Sequence, residues 1–241
     1  DVYKRQIKFQ VHKTHNTNKL VKYKNMRKVF LVLLVLLFAN SIKSQTVSIG
    51  IKSGANISSF HGKYYFCSPV NKNDMYGYSD GWDIVLGKNF GILFDFGLTK
   101  KLSLQTEVLY EDKGFKYFDN SNMCDDEGHN GTIKYKYITM PLILKYKIGE
   151  KKRFNINAGI YLGKLLYARE KGRQDIIPYS FEEWDIDIKS QTHDFDFGLS
   201  LGLGYETPVY KKIDFLIEPR VNYGLTENSK TENNQYKNFS V

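Results

Sequence analysis

Residues 194–206, DFDFGLSLGLGYE, place Phe195, Phe197, Leu199, Leu201, Leu203 and Tyr205 at every second position. Asp196, Gly198, Ser200, Gly202 and Gly204 fill the places between. Successive residues of a strand point to opposite faces, so the stretch has one apolar face and one small, polar face. A helix would mix the two sets. The strand is also too long and too regular for a short sandwich strand.

The same alternation recurs on both sides. It predicts strands over residues 45–58, 86–98, 102–116, 133–148, 154–166 and 213–225, with residues 237–241 as the start of an eighth. Pro141 lacks a backbone N–H, so a local irregularity is expected there. Short turns at 99–101, 149–153 and 207–212 alternate with long polar connections at 59–85, 117–132, 167–193 and 226–236. This is an antiparallel meander with all short turns at one end. The expected fold is all-β: an up-and-down transmembrane β-barrel of eight strands, the last one truncated. The short turns are expected in the periplasm and the long loops outside the cell.

A soluble lipocalin-like barrel would alternate in the same way, with its apolar face inward. The composition of the polar face favours the membrane form. Its many Gly, Ser and Asn residues suit a narrow lumen better than a broad outer surface. Strands of this length also match the ~9–11 residues that cross a membrane.

The formal charge of +9 invites a nucleic-acid reading, but residues 1–44 hold ten of the 35 Lys and Arg and only one acid, Asp1. From residue 45 onward basic and acidic residues balance, which removes the electrostatic case for nucleic acid. Arg27 and Lys28 precede the apolar run VFLVLLVLLFA, and small residues follow up to Gln45. Residues 26–44 therefore read as a secretory signal peptide, cleaved after Ser44; the run is too short to span a bilayer as a helix. Residues 1–25 lack an initiator Met and any apolar periodicity, and read as upstream translation foreign to the protein. The barrel domain is expected over 45–241.

With these strands in place, IGIKSGANIS, LQTEVLYEDKGF, YITMPLILKYKIG, INAGIYLGKLL, DFGLSLGLGYE and EPRVNYGLT, in this order, resemble the PorT-like outer-membrane β-barrel family. The resemblance covers roughly residues 46–225. It implies an outer-membrane barrel of a Gram-negative envelope and a link to protein secretion, although most members of that family have no assigned activity. No catalytic or ligand residue carries over. The expected final strand and its terminal aromatic residue are missing.

Six charges lie on the polar face at similar heights above the short turns: Lys52, Asp95, Glu107, Lys145, Glu218 and Arg220. Buried charges are costly unless paired. They are therefore expected to form a neutral ion-pair network that plugs the lumen, with separately solvated charges as the alternative. Cys67 and Cys124 fall in successive long loops at one end, where an oxidising compartment permits a disulfide; two separate thiols are the alternative. Cys124, Asp125, Asp126, Glu127 and His129 crowd one loop, but a single Cys and His make a solvated acidic loop the better reading than a metal site. No Ser or Cys with a recognisable base partner supports nucleophilic catalysis. Neither an enzyme nor a cofactor is expected. The expected role is structural or partner-binding through the loops, in contact with outer-membrane lipid. A small-molecule channel, a soluble binding barrel and a lipid-modifying enzyme are the alternatives.

Overall fold

The computed structural model describes residues 47–67, 75–79, 83–119, 129–149, 153–176, 180–230 and 235–241. The chain divides into Asp1–Gln45 and Thr46–Val241. The expected leader lies outside the described residues, and the fold below belongs to the second unit.

Among the described residues eleven strands form in chain order: β1 (Val47–Cys67), β2 (Met75–Ser79), β3 (Val85–Gly97), β4 (Leu102–Asp119), β5 (His129–Ile148), β6 (Phe154–Ile176), β7 (Ser180–Asp187), β8 (Phe195–Tyr210), β9 (Ile213–Ile217), β10 (Arg220–Gly224) and β11 (Gln235–Ser240). The ring runs β1-β3-β4-β5-β6-β8-β10-β11 and returns to β1, each pair antiparallel. Strands β9 and β10 both pair β8 and are two halves of one crossing. The break falls at Glu218 and Pro219, where proline has no N–H to give the ladder. Eight crossings therefore build the wall, while β2 and β7 are short partners of β1 and β6.

The apolar face points outward. Ile51 is 92% exposed and Leu86 74%, whereas Gln105, Glu107, Asn157 and Asp196 are all at 0%. A soluble barrel would reverse this, so the lipocalin-like alternative is excluded. Along β5 the outward set is Ile138, Met140, Leu142, Leu144, Tyr146 and Ile148, all exposed. At ~3.4 Å per residue and a tilt of ~40° these six cover about 26 Å of height, close to the ~25 Å apolar band of membrane barrels.

Several strands are longer than the sequence pattern suggests. β1, β4, β5 and β6 continue into stretches expected to be loops, and β7 lies wholly inside one. The cause is an inversion of the pattern. In β4 the inward residues up to Lys113 are polar except Leu109, but above Lys113 Phe115 and Tyr117 point inward while Lys116 is exposed. In β5, Ile133, Tyr135 and Tyr137 are buried and Lys134 is exposed. Above the lipid, water replaces hydrocarbon outside, so charge moves to the outer face and apolar bulk moves in. The β4–β5 pairing passes through this switch with no change of register.

The ladder between β4 and β5 lapses at Pro141. Thr106 pairs Leu142 and Leu109 pairs Thr139, but neither Glu107 nor Val108 has a partner there. A register shift in β5 against β6 occurs instead between Lys136 and Tyr137.

Strand β11 closes the ring over part of its height. It pairs β1 from Ser58↔Ser240 to Lys63↔Gln235, and Ile57 and Val241 exchange both backbone bonds at 2.8 Å. Among the described residues, β1 below Ile57 pairs only β3, and β9 pairs only β8. An open edge is costly in hydrocarbon. Extending the chain beyond Val241 by about ten residues of alternating apolar and small polar character should cover both edges. We expect such an extension to raise the temperature at which the folded band converts to the unfolded band on electrophoresis. An unchanged temperature would show that the wall is already sealed.

Candidate functional site

The barrel interior is the candidate site, and its contents change with height. Near the short turns, Lys145 is buried and its Nζ lies 2.7 Å from Glu206, 3.3 Å from Asp95 and 3.9 Å from Glu218. Lys147 reaches the other oxygen of Glu206 at 2.8 Å. Ser103 donates to Asp95.

The next level is centred on Glu107. Arg220 grips its carboxylate with both terminal nitrogens, at 2.8 and 3.1 Å, and also bonds Glu218. Lys52 lies 3.2 Å from Glu107 and 2.9 Å from Glu218, and Gln105 donates to Glu107. This two-pronged geometry is what a guanidinium offers and an ammonium does not. All six residues named from the sequence thus lie in one connected set, and Lys147 and Glu206 extend it to four cations and four carboxylates. The set draws on six crossings of the wall, since β1, β3, β4, β5, β8 and the β9–β10 crossing each supply at least one member.

An eight-stranded ring with its apolar side chains turned to lipid and its charges paired inside is a membrane barrel. In agreement, residues 38–230 match the family model described as outer membrane protein beta-barrel domain. The chain belongs to that family. No curated protein matches the chain.

The outer-membrane barrel holds a second ionic level above the first. Lys113 is buried, with its Nζ 3.3 Å from Asp196 and 3.5 Å from Glu111. The rings of Tyr161 and Tyr137 lie 4.6 and 5.4 Å from the same ammonium, a favourable place for a desolvated cation. Tyr161 donates to Asp196, and Asn238 of β11 donates to Asp196 at 3.0 Å and to Asn228 at 3.1 Å. Reasoning from sequence did not single out this cluster. Its signal was the inward parity of Glu111, Lys113 and Asp196, which lie higher than the six charges chosen.

Higher still the lumen is capped. Phe60, Phe115, Tyr117, Ile133, Tyr135, Leu165, Ala168, Ile188 and Tyr236 form one buried cluster. Phe60 and Phe115 have centroids 4.2 Å apart, Phe115 and Tyr236 meet edge-on at 5.2 Å, and Tyr135 and Tyr236 share a hydroxyl bond of 2.6 Å. The cap needs glycine. Tyr117, Gly131, Gly172 and Trp184 form one cross-strand row over β4, β5, β6 and β7. A Cβ on Gly131 would meet the Tyr117 ring at 2.0 Å, and one on Gly172 the Trp184 ring at 2.1 Å. Each aromatic ring covers a bare glycine.

Cys124 and the acidic residues 125–127 lie outside the described residues, as do the side chains of Cys67 and His129. Among the described residues no group of His, Cys, Asp and Glu is placed to hold a metal ion.

Removing one member of a buried ion pair strands the other. Arg220→Ala should lower folding stability in micelles by about 3–5 kcal/mol, read from urea titration. Combining Arg220→Met with Glu107→Leu should recover most of that loss. Equal stability of Arg220→Ala and the parent protein would mean that Glu107 is solvated.

Proposed function

We propose that this protein is a non-conducting anchor of the outer membrane that presents a protein-binding surface at its long-hairpin end. The barrel is the mount. The surface is the sheet of β4, β5, β6 and β7 that rises beyond the apolar band. The observation that carries the reading is the filled lumen, with two ionic levels below an aromatic cap. Eight strands leave room for little more than side chains, and here those side chains bind one another. No step of catalysis is assigned.

The rising sheet suits a partner. Its outward face carries Lys116, Asn130, Thr132, Lys171, Arg173, Glu183 and Asp185 around a groove of about 580 Å³. Both charge signs are present, as expected of a polar protein interface. The resemblance to PorT-like barrels makes a component of a protein-secretion apparatus the favoured partner. The alternation of short turns and long hairpins supports an extracellular placement of this end.

Two measurements test the reading. In planar bilayers the purified protein should show no steady open conductance; a large, stable conductance would make it a channel. Replacing residues 171–185 by a short turn should leave heat-modifiable folding intact and abolish cross-linking to an envelope protein in native membranes. Unchanged cross-linking would exclude this sheet as the docking surface.

A further inference from the structure

The outer surface changes character abruptly at one level, and the change is concentrated on β5 and β6. Going up β5, the outward residues Leu142, Met140 and Ile138 give way to Lys136 and Lys134. Going up β6, Ile160 and Leu162 give way to Lys164, then Leu166 and Tyr167, then Arg169 and Lys171. The pairing aligns Lys164 with Ile138, Lys136 with Tyr167, and Lys134 with Arg169. The register shift beside Lys136 sets Leu166 and Tyr167 opposite one residue of β5 and broadens this face. Lys136 lies 5.3 Å from the centre of the Tyr167 ring, and Tyr110, which pairs Ile138 from the other side, meets Phe90 in a tilted arrangement with centroids 5.1 Å apart.

Charge is not balanced at this level. Among the described residues, neither Lys134, Lys136 nor Lys164 has a carboxylate within ion-pair distance. The nearest acid in the pairing is Asp112, opposite Lys136. Arg169 and Lys171, higher up, share Asp185 at 2.5 and 2.8 Å, and Asp187 lies opposite Arg169. Of the three lysines nearest the apolar band, Lys134 and Lys164 have no carboxylate opposite them, and Lys136 faces the single acid Asp112.

Their position selects the partner. Lys164 stands level with Ile138, and Lys136 and Lys134 follow at about 7 Å per two residues along β5, so the three ammonium groups stand at the upper rim of the lipid-facing side chains, at the depth of headgroups. Basic side chains at that depth attract anionic lipid, each contributing on the order of 1 kcal/mol, or about fivefold in affinity. Aromatic rings at the same level hold the interface. We infer that Lys134, Lys136 and Lys164 form a binding site for the phosphate of a lipid headgroup, with the acyl chains lying along Ile138, Met140, Ile160 and Leu162. The site is separate from the sealed lumen and does not depend on the protein-docking role of the sheet above it.

Native mass spectrometry of the folded, detergent-extracted protein tests this with phosphatidic acid and phosphatidylcholine as probes. The protein should retain phosphatidic acid in preference to phosphatidylcholine. The variant K134Q/K136Q/K164Q should lose that preference, on the order of fivefold for each lysine removed. A control with Lys100, Lys211 and Lys212 changed to Gln, in turns at the other end, should keep it. Millimolar inorganic phosphate should fail to displace the lipid, because it lacks the chains. The triple Lys-to-Arg variant should retain binding, and heat-modifiable migration confirms folding of each variant. Equal retention of the two lipids, equal loss in the control variant, or displacement by free phosphate would each overturn the assignment.

Discussion

A backbone N–H or C=O inside hydrocarbon has no water to bind, so it must find its partner within the protein. For strands this means that the sheet has to return to its own first edge. Everything else in the molecule follows from that closure. Eight crossings give a ring whose interior is about one layer of side chains thick. Alternation then divides every strand into a lipid side and a lumen side, and the chemistry of each position is decided by parity.

Parity is also what made the fold legible. The stretch Phe195–Tyr205 shows apolar residues at one parity and Asp, Gly and Ser at the other, and the wall is built from repeats of that pattern. Legibility ended where the outer medium changed. At Phe115 and Tyr117, or Ile133 and Tyr135, the apolar residues sit at inward parity, because the strand has left the lipid and the lumen there is closed by rings. A reader following one apolar face sees the pattern stop and assigns a loop. The backbone continues as strand with the roles of its two faces exchanged. Pro219 had the opposite effect: the pattern runs through it from Phe215 to Tyr223, but the ladder breaks into β9 and β10.

The lumen was partly legible for the same reason. Inward parity identified the residues that meet around Glu107, while their partners depended on the stagger between strands, which the sequence does not display. The Lys113–Asp196 cluster joins β4 to β8, with Asn238 added from β11. Three strands distant in sequence meet there only after the ring is closed. The glycine row behind the cap is likewise invisible one strand at a time. Gly131 and Gly172 acquire their purpose only when Tyr117 and Trp184 are brought beside them.

These buried charges do something that an apolar filling could not. Replacing an ion pair by apolar residues of equal volume is often neutral or stabilising, so stability alone does not account for the two ionic levels. A strand apolar on both faces, however, would sit equally well in lipid either way round, and a slip of one residue turns every side chain to the other side. Lys52, Glu107, Lys145 and Arg220 lie at inward parity on β1, β4, β5 and β10, so a slip of any one of these strands would place charge in hydrocarbon. Arg220 on β10 reaches Glu107 on β4, and neither strand pairs with the other. That bond forms only when both strands face the lumen in a closed ring. The ion pairs therefore discriminate one register and one closure against the alternatives, and the side-chain-filled lumen is the physical consequence of that discrimination.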